Sequence, residues 1–457
     1  MINDGSVPRL FGTNGVRGVV NSPDMDPRFA LRLGLSIGSL MKGTVLVGTD
    51  ARTSNEMLKS ACASGIMASG CNVVDCGTVP TPTLQYAVKT RGVAGGVMIT
   101  ASHNPPEFNG IKCIDPDGTE MSRANEESIE RRFHTEDFAL ASWANIGTMV
   151  ADTTVIDGYI EGIVSLVDVD AIRRADLRIA LDCGNGAGSM ASPRLLERLG
   201  VRYVTLNANP DGAFPGHNSE PVPENSKDLI DLVRSGGFDF GVVQDGDADR
   251  AIFVDDTGTY QYGDRSLALG AYFACRENPG GLVVTTVGSS RCVEDAVAAN
   301  GGRIMYTKVG SPVVARAMIE NDSVFGGEEN GGLIFPEFQF CRDAGMAVAK
   351  MIEIVAKHGR MSTLLAGIPS YSQYKAKTRC PEEKKRHVME QLAADAKGGR
   401  VDTTDGVKVF FDDGWVLVRP SGTEPLFRVF TEAKDPAKAK RMAEEYIDKV
   451  KALVNGS

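Results

Sequence analysis

Three segments of the chain share one pattern: an apolar run, a short polar turn, a helical stretch, and a second apolar run. The first runs from residues 45–50 (Val-Leu-Val-Gly-Thr-Asp) through a helical stretch to about Ser69 and on to residues 71–75. The second joins residues 177–182 through a Gly-rich turn and a helix around Pro193 to Leu199, then residues 201–205. The third joins residues 282–286 through a Gly-Ser turn and a helix over 292–299, then residues 303–307. Strand, helix, strand at this spacing is a βαβ unit, which needs parallel pairing and prunes the possible topologies to a few. A chain of 457 residues exceeds what one core serves. The expectation is three related α/β domains with mixed, mainly parallel sheets. The last ninety residues differ: residues 407–411 and 415–418 around Asp412-Asp413-Gly414 read as a hairpin, 426–430 as a further strand, and Asp435-Pro-Ala-Lys opens an amphipathic helix to about Val454. That is a smaller C-terminal α+β domain. Boundaries are expected near 147, 258 and 368, giving domains 1–147, 148–258, 259–368 and 369–457, with Pro369-Ser-Tyr as a linker.

Chemistry concentrates in four places. Residues 95–99 (Gly-Gly-Val-Met-Ile) read as a buried strand, and Thr100-Ala101-Ser102-His103-Asn104-Pro105 follows it. A serine at a strand's end can carry a covalent group such as phosphate, although turn and cap chemistry would also use it. Lys112 lies just beyond. Asp245-Gly246-Asp247-Ala248-Asp249-Arg250 follows the apolar run 240–243. Alternating carboxylates separated by small residues can turn three oxygens to one point, a hard donor set suited to Mg²⁺. It is not an EF-hand, because Arg250 stands where that loop needs Gly and Asp256 where it needs Glu. Gly326-Gly327-Glu328-Glu329-Asn330-Gly331-Gly332 offers an acceptor at Glu328 and a mixed group at Asn330, suited to vicinal sugar hydroxyls or to a plain polar turn. Arg419-Pro-Ser421-Gly422-Thr423-Glu424-Pro425, with Arg428 beyond, combines guanidiniums, hydroxyls and glycine backbone in the manner of a phosphate cradle.

Two matches mislead. Gly34-Leu-Ser36-Ile-Gly38 fits a nucleophile-elbow pattern but lies in a stretch of helical periodicity. Gly184-Asn-Gly186-Ala-Gly188 follows a strand, yet Ser189 spoils the dinucleotide fingerprint, and close packing of a helix on its strand explains the glycines.

In the order serine loop, acidic loop, Gly-rich loop and cradle, from Phe11-Gly-Thr-Asn-Gly-Val-Arg17-Gly to Arg428, the chain resembles the α-D-phosphohexomutase family. The resemblance implies an active site in the central cleft of a four-domain molecule. It makes Ser102 the phosphoserine, and Ser102, Asp245, Asp247 and Asp249 the ligands of one Mg²⁺. Arg250 would stand beside the phosphoserine. Arg17, Lys112 and His103 would lie near the reacting centre, the last two as acid–base candidates. Lys308, Glu328 and Asn330 would contact the sugar, and Arg419, Ser421, Gly422, Thr423 and Arg428 the non-reacting phosphate. Asn330, Ser311 and Asn14 depart from residues frequent in the family. The implied reaction interconverts hexose 1- and 6-phosphates through a bisphosphorylated sugar. Glucosamine phosphate is the first choice of substrate, with a mannose or glucose phosphate mutase of broad specificity second. A sugar-phosphate-binding protein without catalysis would need one of these central groups missing.

Charge and hydropathy narrow the partners. A formal net charge of −10 argues against a general nucleic-acid or anionic-membrane binder. No apolar run approaches the ~18 residues of a membrane span. The opening residues lack a signal-peptide pattern, and nine scattered cysteines without a Cys-x-x-Cys pair read as buried thiols, so a reducing, cytoplasmic setting is expected.

Overall fold

The first βαβ segment folds as read, with strands Thr44–Thr49 and Asn72–Thr78 paired in parallel and joined through helix Asn55–Ala68. The computed structural model describes residues 9–396, 399–421 and 425–456. They fall into two units, one comprising Met1–Ser266 with Asn330–Leu364, the other Leu267–Glu329 with Leu365–Ser457.

The first unit holds two sheets. One orders Val16–Val19, Phe108–Ile114, Gly95–Ile99, Thr44–Thr49, Asn72–Thr78 and Met149–Ala151. Its two central strands, Gly95–Ile99 and Thr44–Thr49, are almost wholly apolar and buried because helices cover them. Val45, Val47, Val97 and Ile99 pack with Leu33 and Ile37 of helix Pro27–Met41 and with Leu58 and Ile66 of the crossover helix. Asp26 caps helix Pro27–Met41 by accepting from the Phe29 N–H. Ser36 is buried inside that helix and donates to the Arg32 carbonyl, so the elbow-like pattern there is packing. The second sheet orders Tyr260–Gln261, Ala251–Asp255, Phe240–Gln244, Arg178–Asp182 and Arg202–Leu206. Phe240–Gln244 and Ala251–Asp255 are antiparallel with Gln244 opposite Ala251, so the acidic loop is the six-residue hairpin connection between them.

Helix Gly188–Leu199 begins earlier than the expected start near Pro193, which sits inside it. The Gly-rich turn explains the early start. Ala187 N–H donates to the Gly246 carbonyl, and Ser189 and Met190 donate to Gly186 and Ala187, so the first turn is tied down before Pro193 is reached.

In the second unit, Leu282–Thr286 pairs in parallel with Arg303–Thr307 on one side and Phe325–Gly327 on the other. Ser290 caps helix Arg291–Ala298 by accepting from the Cys292 N–H. The C-terminal sheet is antiparallel, ordered Ser372–Arg379, Leu426–Ala433, Gly414–Pro420, Val407–Phe411 and Val401–Asp402. Asp435 caps the final helix Pro436–Asn455, which packs Ala443 and Val450 against Val416, Val418, Phe427 and Val429. All nine cysteines are free and buried, and no described helix is long and apolar enough to cross a membrane.

Candidate active site

Where strand Gly95–Ile99 ends, the Thr100 hydroxyl accepts from the Ser102 N–H at 2.8 Å and donates to Asp50 at 2.5 Å. Ser102 takes a left-handed φ of 52°, a conformation that costs a non-glycine residue energy and persists only when its surroundings hold it. Arg52 does the holding. Its guanidinium donates to the carbonyls of Ser102, Asn104, Pro105 and Phe108 and pairs with Asp50, both side chains fully buried. The loop is thus fixed by one cation that satisfies four backbone acceptors at once.

The hairpin Asp245–Arg250 meets this loop from the second sheet. Gly246 permits the approach: a Cβ there would sit 2.5 Å from the Ser102 carbonyl oxygen. The Ser102 hydroxyl donates to Asp245 Oδ2 at 2.8 Å and lies 3.3 Å from His103 Nδ1. Asp245, Asp247 and Asp249 are buried, and each offers an oxygen within 4.8 Å of the other two. Such a cluster repels itself unless cations join it. Lys112, 2% exposed on strand Phe108–Ile114, reaches Asp247 at 2.6 Å and Asp249 at 3.4 Å. Arg250 Nε reaches Asp245 at 3.0 Å. Two residues outside the motifs complete the set. Thr81, at the start of helix Thr81–Arg91, donates its hydroxyl to Asp247 at 2.6 Å, and Arg342 donates to Asp249 at 2.6 Å.

Even so, Asp247 Oδ1 and Asp249 Oδ1 are buried with no hydrogen-bond partner among the described residues. Buried carboxylate oxygens are rarely left so, and a hard divalent cation is a group that would satisfy them. The donor set therefore fits a metal of the Mg²⁺ kind.

The local field sorts the titrating groups. Burial, with Asp249 and Asp247 beside it, pushes the Asp245 carboxyl up. Burial also works against charge on Asp247, but Lys112, Thr81 and Arg342 outweigh it and hold that carboxyl below the usual range. Burial, reinforced by Arg250 and Arg17, pulls His103 down to about 2, so its imidazole is neutral beside the serine. Burial likewise lowers Arg17, opposed by Asp247 and Asp249; Arg17 Nη1 donates to Asn104 Oδ1 at 2.8 Å.

Of the expected site residues, Ser102, His103, Lys112, Arg17, Arg250 and the three aspartates come together in the first unit. Asn330, also there, turns its Oδ1 back to the Gly332 N–H. In the second unit, the buried Glu328 accepts from the Gly310 N–H at 3.0 Å, while Lys308 is exposed. Arg419 pairs with Asp405 at 2.7 Å and stands opposite Arg428 in the sheet. The two arginines line a cavity of about 100 Å³ with Lys375, Glu329, Trp415 and Phe430. Ser421 N–H donates to the Leu426 carbonyl, and the Ser421 carbonyl accepts from Lys385. Gly422 and Thr423 lie outside the described residues. Thr81, Arg52 and Arg342 were missed by motif reading, since each acts on a partner 50 or more positions away.

Comparison with known proteins agrees along the chain. Residues 8–140, 157–258 and 262–371 match the phosphoglucomutase/phosphomannomutase alpha/beta/alpha domains I, II and III, and residues 376–449 match the C-terminal domain of that family. The phosphoglucomutase/phosphomannomutase of Thermococcus kodakarensis is 46% identical over 98% of this chain and 100% of its own length. A probable phosphoglucosamine mutase of Methanopyrus kandleri is 42% identical over 98% of each chain. The crystal structure of a phosphoglucomutase/phosphomannomutase family protein from Burkholderia thailandensis superposes with a TM-score of 0.87 at 29% identity, covering 97% of both chains. The chain therefore belongs to the phosphoglucomutase/phosphomannomutase family and is a phosphohexomutase, an isomerase that works by phosphoryl transfer.

Proposed function

We propose that this phosphohexomutase interconverts glucosamine 6-phosphate and glucosamine 1-phosphate through phosphorylated Ser102. The observation that carries the reading is the 2.8 Å contact of the Ser102 hydroxyl with Asp245, inside a carboxylate cluster in which two buried oxygens have no hydrogen-bond partner among the described residues. In the cycle, the phosphoryl group on Ser102 passes to the free hydroxyl of a hexose monophosphate, which loses its proton as the new P–O bond forms. The bisphosphorylated sugar turns over, and its other phosphoryl group returns to the Ser102 oxygen.

Phosphoryl transfer asks the protein chiefly for positioning and charge. Arg52 fixes the nucleophile's loop, while Lys112, Arg250 and Arg17 face the transferring oxygens with positive charge. Asp245, Asp247 and Asp249, with the phosphate on Ser102, would hold Mg²⁺, which supplies Lewis-acid stabilisation of the phosphoryl oxygens. Lys112 and His103 are the acid–base candidates for the sugar hydroxyl's proton. Glu328 and Asn330 read sugar hydroxyls, Lys308 assists them, and Arg419, Ser421, Gly422, Thr423 and Arg428 hold whichever phosphate is not reacting.

The choice of glucosamine rests on relatives such as that of Methanopyrus kandleri; the name of the Thermococcus kodakarensis relative favours broader use of glucose and mannose phosphates as the second reading. Two measurements decide. Mass spectrometry should find phosphate on Ser102, and Ser102→Ala should still bind hexose phosphates but lose turnover; wild-type turnover in that variant would sink the mechanism. Comparing kcat/KM for glucosamine, mannose and glucose phosphates should favour glucosamine, and a preference for either other sugar would replace that assignment.

A further inference from the structure

Arg342 belongs to none of the motifs, yet it ends in the carboxylate cluster. It precedes helix Ala344–His358, whose cap is Asp343. The Asp343 carboxylate accepts from the Met346 N–H at 2.9 Å, from Gln339 at 2.7 Å and from the Tyr159 hydroxyl, and the Asp343 N–H donates to the Leu333 carbonyl. Those bonds fix the backbone on which Arg342 stands. Its side chain then crosses Gly332, where a Cβ would lie 2.2 Å from Arg342 Cδ. At the far end Nη2 donates to Asp249 Oδ2 at 2.6 Å, an oxygen that Lys112 reaches only at 3.4 Å. The other oxygen, Oδ1, is buried without a hydrogen-bond partner among the described residues, with Arg250 Nε 3.8 Å away. On the other side of the same loop, Ala251 N–H donates to the Gly331 carbonyl at 3.1 Å.

We propose that Arg342 is a positioning residue for the metal centre: it engages Oδ2 of Asp249, leaves Oδ1 committed to the cation, and ties the placement of Asn330–Gly332 to that carboxylate. The proposal rests on the reading that the three aspartates hold a divalent cation. Partners that orient metal ligands from outside are worth about 10–100-fold in metal affinity or activity. Two other roles predict different signs. If Arg342 acted only as a neighbouring positive charge, removing it would tighten cation binding. If it only packed across Gly332, removing it would lower stability and leave the metal untouched.

The test is Mn²⁺ binding, read by electron paramagnetic resonance of the free ion in the absence of sugar phosphate, on wild type, Arg342→Gln, Arg342→Lys and Gly332→Ala. Arg342→Gln should weaken Mn²⁺ binding by about 10–100-fold. Arg342→Lys should recover part of the loss, and Gly332→Ala, which pushes the side chain off its path, should resemble Arg342→Gln. In turnover assays at saturating Mn²⁺, kcat should fall more than KM rises. Unchanged or tighter Mn²⁺ binding in Arg342→Gln overturns the proposal while leaving the metal reading intact. Should that variant fail to fold, unchanged affinity in both Arg342→Lys and Gly332→Ala overturns it equally. Absence of saturable binding in wild type overturns the metal reading itself, and the proposal with it.

Discussion

Gly246→Ala adds a single methyl where the acidic hairpin meets the serine loop. On the present backbone its Cβ lies 2.5 Å from the Ser102 carbonyl oxygen. Non-bonded heavy atoms settle about 3.5 Å or more apart, so the two loops must separate by roughly 1 Å. Neither side yields readily. Arg52 holds the Ser102 carbonyl at 2.8 Å, and the Gly246 carbonyl accepts from Ala187 at 2.9 Å. Adding that separation to the 2.8 Å contact of the Ser102 hydroxyl with Asp245 takes it beyond hydrogen-bond range. A 1 Å misplacement of reacting groups can cost about 100-fold in rate, and overpacking of this kind costs about 1–3 kcal/mol of stability. The expected result is a fall in kcat of about 100-fold with a smaller change in KM, and a Tm lower by a few degrees. Steady-state mutase rates and thermal melts by circular dichroism read both. Gly158→Ala is the control: it lies in helix Val155–Val164, and beyond its own helix backbone and chain neighbours no described residue comes within 4 Å of the added Cβ. It should gain about 0.5–1 kcal/mol of helix stability and leave kcat alone. Wild-type kcat in Gly246→Ala, or an equal loss in the control, would refute the claim that this backbone contact sets the serine-to-carboxylate distance.

Chelation should abolish turnover and Mg²⁺ should restore it; full activity in chelator would remove the cation from the reading. Arg419→Ala should raise KM for hexose phosphates by about 10–100-fold, the worth of a charge-assisted hydrogen bond, with kcat less affected. Equal affinity by titration would count against the cradle.

Much of this molecule is legible in its sequence because its strands are short apolar runs closed by glycine or polar turns, and its helices carry recognisable caps such as Asp26, Ser290 and Asp435. The acidic hairpin is legible for a related reason, since its carboxylates are two residues apart. Strand Ser372–Arg379 is not, because its residues, Ser-Gln-Tyr-Lys-Ala-Lys-Thr-Arg, show no apolar alternation; it is an edge strand and only one side of it is paired. Helix Glu382–Asp395 escapes notice for its weak apolar stripe. Arg52, Thr81 and Arg342 stay hidden for a deeper reason. Each is defined by a carboxylate or carbonyl far along the chain, and a lone Arg or Thr in a loop looks like any other until the sheets bring its partner near.

The serine and the carboxylates reach the centre from two different sheets, and this divides its charge unevenly before they meet. The hairpin alone gathers Asp245, Asp247 and Asp249 around one guanidinium, while Lys112 and Arg17 stand on the other sheet. Each half is therefore an unbalanced patch that burial would penalise, and each is the other's counter-charge. The reactive centre is also a fastening. On the proposed reading, a chain whose second sheet has not yet docked would hold an inert hydroxyl, and would gain the power to move phosphate only in the same event that closes this part of the fold.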